Sequence, residues 1–397
     1  MRHFHAQWCT AVTVCAATLA SSACTPSRGS ADGGASSSGS AANTGDGGLS
    51  NPGDLSCLKM LPLRQWTTEP SAVALLYRIE TCAGDTVRLV PQGTQPLSAL
   101  YTLSENNSAL SSEAAPSISL SAGQRVYVSL LMDFSLSTQP VKAELVASAR
   151  LFTQTLLERS PKVFVDLRIF DGRPQPHTVL LPTRNLVLIN EKLEALSTAT
   201  PGSAILGPTP DSASTNLYQA FVSGVEDLQA RERAVMSANA GGVVTSGFLV
   251  VFTDGADTAN RVPRSSAVSA VAAGRAANGT GAGMTADNVQ TYAVALAGSD
   301  FTADARAALL ETLGSPRYFL AGDVTQLSAR FTTLANTIAD QSEATHLLTY
   351  CSPARAGERT VSLSVAPLVG GTAAGSSGLS FSFSAAGFAG GCIEFFQ

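Results

Sequence analysis

Charge is scarce in this chain of 397 residues. Asp, Glu, Lys and Arg make up 14% of it, against about 25% in an ordinary soluble domain. The 25 basic and 30 acidic residues leave a formal net charge of −5. No long basic block occurs, so the electrostatic footprint of a nucleic-acid binder is missing. Histidine is rarer still, with four in all. Two of them, His3 and His5, lie at the extreme start, which leaves His177 and His346. There is no Gly-x-Ser-x-Gly elbow, so a Ser–His–Asp hydrolase lacks its parts. The absence of a Gly-x-x-x-x-Gly-Lys-Ser/Thr loop removes the usual nucleotide cradle. The glycine cluster Gly279-Thr280-Gly281-Ala282-Gly283 follows no strand and reads as a loop. No Cys-x-x-Cys pair is present, which argues against structural zinc. Beyond the start, no apolar run reaches the roughly 20 residues that a membrane span needs.

What the chain does have begins with an export signal. Met1 to Gln7 is short and polar, Trp8 to Ala20 is apolar and uncharged, and Ser21, Ser22 and Ala23 precede Cys24. Small residues before a Cys resemble a lipobox, although Ser21 stands where an aliphatic residue is usual. Residues 1–23 are therefore expected to be a signal peptide, with Cys24 lipidated. Residues 24–53 are rich in Gly, Ser and Ala. They hold too little apolar surface to offset the entropy of ordering, and read as a tether. Of seven cysteines, Cys57, Cys82, Cys351 and Cys392 then remain as disulfide candidates in an oxidising compartment. Four cysteines allow three pairings; the nearest-neighbour one would staple each flank internally.

Hydrophobic residues make 45% of the chain, enough for a sizeable core. Residues 54–122 read as a small β-rich subdomain: Ala72 to Ile79, Val87 to Val90 and Ser117 to Leu120 are strand-like, with turn residues between them. From 123 to 344 nearly continuous apolar runs alternate with amphipathic patterns. The runs are Val126 to Met132, Val163 to Phe170, Phe248 to Phe252, Thr291 to Leu296 and Tyr318 to Leu320. Such runs suit strands buried on both faces. Val141, Leu145, Ala149, Phe152 and Leu156 share one helical face, and so do Val324, Leu327, Phe331, Leu334 and Ile338. The expected fold class is α/β, a doubly wound, mostly parallel sheet flanked by small β-rich modules. His177 to Leu181, after a turn at Asp171-Gly172, is placed as an antiparallel edge strand. Residues 345–397 return to strand patterns and read as a C-terminal β-rich module.

Three short pieces in the α/β region carry chemistry. The first long strand ends in Asp133-Phe134-Ser135-Leu136-Ser137. Ligands of open α/β sheets bind at the carboxyl ends of strands, and alternate residues of one loop can aim oxygens at a single hard cation. The second piece is Ser214-Thr215-Asn216-Leu217-Tyr218, a loop feeding a helix. The third is Thr253-Asp254-Gly255, at the end of Phe248 to Phe252. Singly, each reads as a helix cap or a turn.

In this order, the three pieces resemble the metal-ion-dependent adhesion site of the von Willebrand factor type A family. The resemblance covers about Gln124 to Glu343. Ser214 departs from it, standing where the family often has Gly. The resemblance implies a Rossmann-like fold and a bound Mg²⁺, or Mn²⁺ or Ca²⁺, with the hydroxyls of Ser135, Ser137 and Thr215 as direct ligands. Asp133 and Asp254 would act largely through water. It also implies one open coordination position, filled by a Glu or Asp carboxylate of a partner protein. Asp257 reads as a loop cap, and Glu226 and Asp227 as a solvated helix face. Tyr350 to Gly357, with the late Gly387 to Cys392, is similar to the tail of bacterial envelope lipoproteins that carry this domain. The three loops hold no His or Glu to act as a base, so binding without catalysis is the expectation. The protein would sit at the bacterial envelope through its lipid, with the outer membrane suggested by Thr25 after Cys24. The alternative is a structural or assembly lipoprotein in which the metal only stabilises the fold.

Overall fold

The computed structural model describes residues 57–391, apart from 83, 90–95, 121–122, 239–242, 276–288, 298–300, 314–316, 367, 370–371, 374–375 and 390. The expected signal peptide, Cys24, the tether, the loop Gly279 to Gly283 and Cys392 lie outside the described residues.

The chain opens on two long antiparallel strands, β1 (Leu58–Thr68) and β2 (Ala72–Thr81). β1 contains Pro62 and Arg64, which hide it from a period-two reading. Its register slips between those residues, so the proline breaks the regular ladder, to which it has no N–H to donate. β3 (Tyr101–Glu105) and β4 (Ser117–Leu120) follow.

The α/β block then runs β5 (Gln124–Asp133), α1 (Lys142–Arg159), β6 (Val163–Phe170), β7 (His177–Thr183), α2 (Leu186–Ser197), α3 (Leu217–Ala238), β8 (Val244–Thr253), α4 (Arg264–Arg275), β9 (Val289–Leu296), α5 (Ala303–Leu313), β10 (Tyr318–Ala321) and α6 (Leu327–Glu343). Three longer strands follow the last helix: β11 (Thr345–Cys351), β12 (Glu358–Val365) and β13 (Ser377–Ser384).

The central sheet has the order β10-β9-β8-β5-β6-β7. All its pairs are parallel except β6 with the edge strand β7, where the sequence places an antiparallel edge. The period of two along β5 divides its side chains. Val126, Val128, Leu130 and Met132 join a core with α1, α2 and α6, whereas Tyr127 and Leu131 join a second core with α3, α4 and α5. Helices therefore cover both faces. α1 has no Gly or Pro inside it and docks on α6 through Phe152 and Phe331, whose ring centroids are 5.8 Å apart.

The two β-rich flanks, taken as separate modules from the sequence, share their sheets. β11 lies between β2 and β4, giving the order β1-β2-β11-β4, and β12 lies between β13 and β3. One core fills the sandwich, with Leu75, Tyr77 and Ile79 from the first flank and Leu348, Val361 and Phe383 from the second. Sequence patterns report period and burial, but not which distant strand fills a gap. The outer face of the first sheet packs through Leu63, Trp66, Leu76 and Leu347 on Val244, at the amino end of β8. The sandwich thus abuts the floor of the α/β block. Cys57 pairs with Cys82, closing β1 onto β2. Cys351 is also disulfide-bonded.

Candidate metal centre

Asp133 is the last residue of β5, and its side chain is fully buried. β5 and β8 are neighbours, and the chain leaves them in opposite directions across the sheet. Their carboxyl ends therefore frame the crevice where doubly wound sheets bind ligands. The backbone N–H of Ser135 donates to Asp133 Oδ1 at 2.9 Å, and Thr253 Oγ1 donates to Asp133 Oδ2 at 3.0 Å. Thr138 Oγ1 donates to the carbonyls of Asp133 and Ser135, both at 2.9 Å, and so closes the loop. The hydroxyls of Ser135 and Ser137 are 3.1 Å apart, and Ser137 Oγ donates to Asp254 Oδ1 at 3.0 Å.

Four of the five expected ligands therefore meet in one hydrogen-bonded chain. The fifth, Thr215, is buried on the adjoining loop. Among the described residues its hydroxyl makes no hydrogen bond to the other four. Its N–H donates to Thr258 Oγ1 at 2.8 Å, and its carbonyl accepts from Thr258 and Ala259 at 2.9 and 3.0 Å. That lacing ties it to the loop that carries Asp254.

The electrostatics suit a cation. Burial pushes the Asp133 carboxyl up to about 7; hydrogen bonds from Ser135 and Thr253 oppose the shift, and the charge of Asp254 adds to it. Among the described residues no ion pair reaches Asp133. A dry carboxylate beside a second one is costly unless a positive charge joins them. Among the described residues no three His, Cys, Asp or Glu side chains gather as a metal set. This cluster has two carboxylates and is otherwise built of hydroxyls. An all-oxygen donor set of low charge fits Mg²⁺, Mn²⁺ or Ca²⁺ rather than zinc or copper.

No family model matches the chain, and no curated protein matches it. Solved structures similar to it include von Willebrand factor type A domains. The vWF domain of the type V pili tip protein Mfa5 from Porphyromonas gingivalis is 14% identical over 54% of this chain and 95% of its own, with a TM-score of 0.32. Manganese-loaded TRAP protein from Plasmodium vivax is 12% identical over 68% and 96%, with a TM-score of 0.37. The pilus adhesin SpaC from Lactobacillus rhamnosus GG, in its open conformation, is 11% identical over 81% and 47%, with a TM-score of 0.39. The chain spans about half the length of SpaC and of a mussel byssus matrix protein, at 47% and 48%. These likenesses are remote, and the fold rests on the strand order above.

The sequence reading missed the scaffold under the site. Asp171, just past β6, is buried and ion-paired with Arg173 at 2.8 Å. Its carboxylate accepts from the backbone N–H of Arg173 at 2.9 Å and of Asp211 at 3.2 Å. Its carbonyl accepts from the N–H of Asn216 at 3.0 Å, and the Asn216 side chain donates to Arg173 O at 2.8 Å. The end of β6 thus holds the Thr215 loop in place. Asp-Gly after a strand had read as a bare turn; the structure shows an Asp held by backbone N–H groups and by the Arg173 side chain. Asp257 acts as a cap, as expected. Its Oδ2 accepts from Tyr218 N at the start of α3 at 2.9 Å, and its Oδ1 accepts from Asn260 N at 2.8 Å. Ser214, the departure from the family pattern, donates to Asp211 Oδ2 at 3.2 Å.

A Cβ on Gly172 would fall 1.9 Å from Ser214 Oγ and 2.4 Å from Asp211 Oδ2. Gly172→Ala is therefore expected to spread this loop from β6 and destabilise the protein by about 1–3 kcal/mol. Urea denaturation reads the loss, and an unchanged midpoint would show that the loop simply shifts.

The remaining candidates lie away from the crevice. Glu226 and Asp227 are exposed on α3, although Asp227 reaches Arg168. The ring of His177 packs against Gly207, and burial holds its pKa below the usual value. His346 is buried in the sandwich.

Proposed function

We propose that this chain is an exported, lipid-anchored envelope protein whose α/β block is a von Willebrand factor type A domain. It binds a divalent cation and, through it, a carboxylate of a partner protein, without catalysis. The observation that carries this reading is the cluster of Asp133, Ser135, Ser137 and Asp254 at the sheet's switch point, built around the buried Asp133 carboxylate, to which no cationic side chain among the described residues is paired. Ser135, Ser137 and Thr215 would hold the ion through their hydroxyls. Asp133 orients Ser135, and Asp254 orients Ser137. When bound, the ion supplies a positive centre able to accept an external carboxylate. With few anionic donors around it, that charge is only partly neutralised. The Cys57–Cys82 disulfide agrees with an oxidising compartment, and the start of the sequence supports export and lipidation.

Unfolding of the full chain in chelator and then in Mg²⁺ or Mn²⁺ tests the site. At a hundred times the dissociation constant the ion is expected to stabilise the fold by about 2.7 kcal/mol. Ser137→Ala, at a half-exposed position, should fold normally and lose most of that gain. Equal unfolding curves for wild type with and without metal would refute the site. A gain in stability with no change in partner capture would leave the metal a purely structural part.

A further inference from the structure

We propose that the loop carrying Asp133 reads a second chemical feature of the same partner, an aromatic or large aliphatic side chain next to the acidic residue. This rests on the metal-dependent reading above. Along this loop successive side chains go to opposite sides. Ser135 and Ser137 turn toward Asp254, whereas Phe134 and Leu136 line a cavity of about 150 Å³. Ile169, Leu206, Ala199, Pro201 and Pro210 complete its apolar walls. Space of roughly this size is enough for a benzene ring where the walls that meet it are apolar; here Gln139, Ser212 and Asp171 supply polar wall as well.

Two observations fix the kind of occupant. Leu136 is 65% exposed although it belongs to the wall. It is a large apolar side chain left at the mouth, where an arriving apolar group would cover it. The charged side chains on the cavity are Lys142, whose Nζ donates to the Ala199 carbonyl at 2.8 Å, and Asp171, whose charge is already met by Arg173. The bound ion on one side of the loop and the Lys142 ammonium on the other would flank the ligand with positive charge. A segment that is acidic and apolar at neighbouring positions complements both; a basic or purely polar one does not.

The test uses the full chain and two capped peptides, Gly-Phe-Glu-Phe-Gly and Gly-Gly-Glu-Gly-Gly, titrated in Mg²⁺ and in chelator. The Phe peptide is expected to bind at least tenfold tighter in Mg²⁺, and chelator should abolish both affinities. Ala199→Phe fills the cavity and should erase the difference while leaving the metal-dependent gain in stability. Leu136→Ser, at an exposed position, should shrink the difference without any demand on the core. Equal affinities in wild type, with the metal-dependent stabilisation intact, would overturn this inference alone. Loss of both the stabilisation and all peptide binding would overturn the metal reading and this inference with it. A Phe preference that survives chelator would overturn the shared reading by one loop and leave an independent apolar site.

Discussion

Replacing Asp166 by alanine is expected to cost about 3–5 kcal/mol of stability, the cost of breaking a buried ion pair by removing one partner. Asp166 lies on β6 opposite Ser129 of β5, which donates to its Oδ1 at 2.6 Å. Its side chain is 1% exposed and is the shared anion of two arginines, Arg168 and Arg231. Arg168 is 7% exposed and turns its other arm to Asp227 on the surface. Arg231 lies over the Tyr127 ring, 5.7 Å from its centroid. Without Asp166, two cations on the α3 side of the sheet would keep, among the described residues, one half-exposed carboxylate between them, Asp227. Asp166→Asn, which keeps a hydrogen-bond acceptor for Ser129 but loses the charge, should fall between alanine and wild type. Urea denaturation at pH 7 measures all three, and a loss below about 1 kcal/mol for Asp166→Ala would contradict the account.

Acidification from pH 7 to pH 4 is expected to remove about 3 kcal/mol of stability through His346 alone. Its ring is fully buried and stacks on Tyr77 at 5.4 Å. Burial pushes its pKa down to about 4; the backbone at Leu89 and Ala344 opposes the shift, and the charges of Arg88 and Lys162 add to it. The unfolded chain binds the proton near pH 6.5, and the folded one does not until about pH 4. The contribution is therefore complete above pH 6.5, falls as pH drops through that value, and levels off below 4. The separation of about 2.5 units at 1.36 kcal/mol each sets the size. His346→Leu should lose this slope. Asp133, whose carboxyl is pushed up to about 7, acts in the opposite direction in metal-free protein. Its share is common to both chains and cancels in the difference between them. Parallel stability curves for wild type and His346→Leu between pH 7 and 4 would refute the assignment.

The inner strands of the α/β block, β5, β6, β8 and β9, were legible because they are buried on both faces and largely apolar. The three site pieces were legible because each sits at a strand or helix end. Asp171 and Thr258 were not, because a carboxylate or hydroxyl held mainly by backbone N–H groups leaves little residue pattern to find. β1 was missed because Pro62 and Arg64 break its alternation. Arg64 is buried against Thr245 of β8, to whose Oγ1 its Nη1 donates at 3.3 Å, a contact set by the packing of sandwich on block. The interleaving of the two flanks was out of reach for a related reason. β4 and β12 accept their neighbours by hydrogen bonds that any sequence can make.

That interleaving has a topological consequence. Leu120 of β4 pairs with His346 of β11 in antiparallel register, so the chain leaves the sandwich and returns to it on two adjacent, hydrogen-bonded strands. The whole α/β block is an insertion at what would otherwise be a hairpin turn. Splicing Leu120 to His346 through a two-residue Asn-Gly linker, a favoured hairpin connection, would restore that turn and leave every sandwich strand with its neighbours. The α/β block is thus interchangeable by construction. Any domain whose own ends lie about one strand spacing apart, roughly 4.8 Å, could be carried on the same platform.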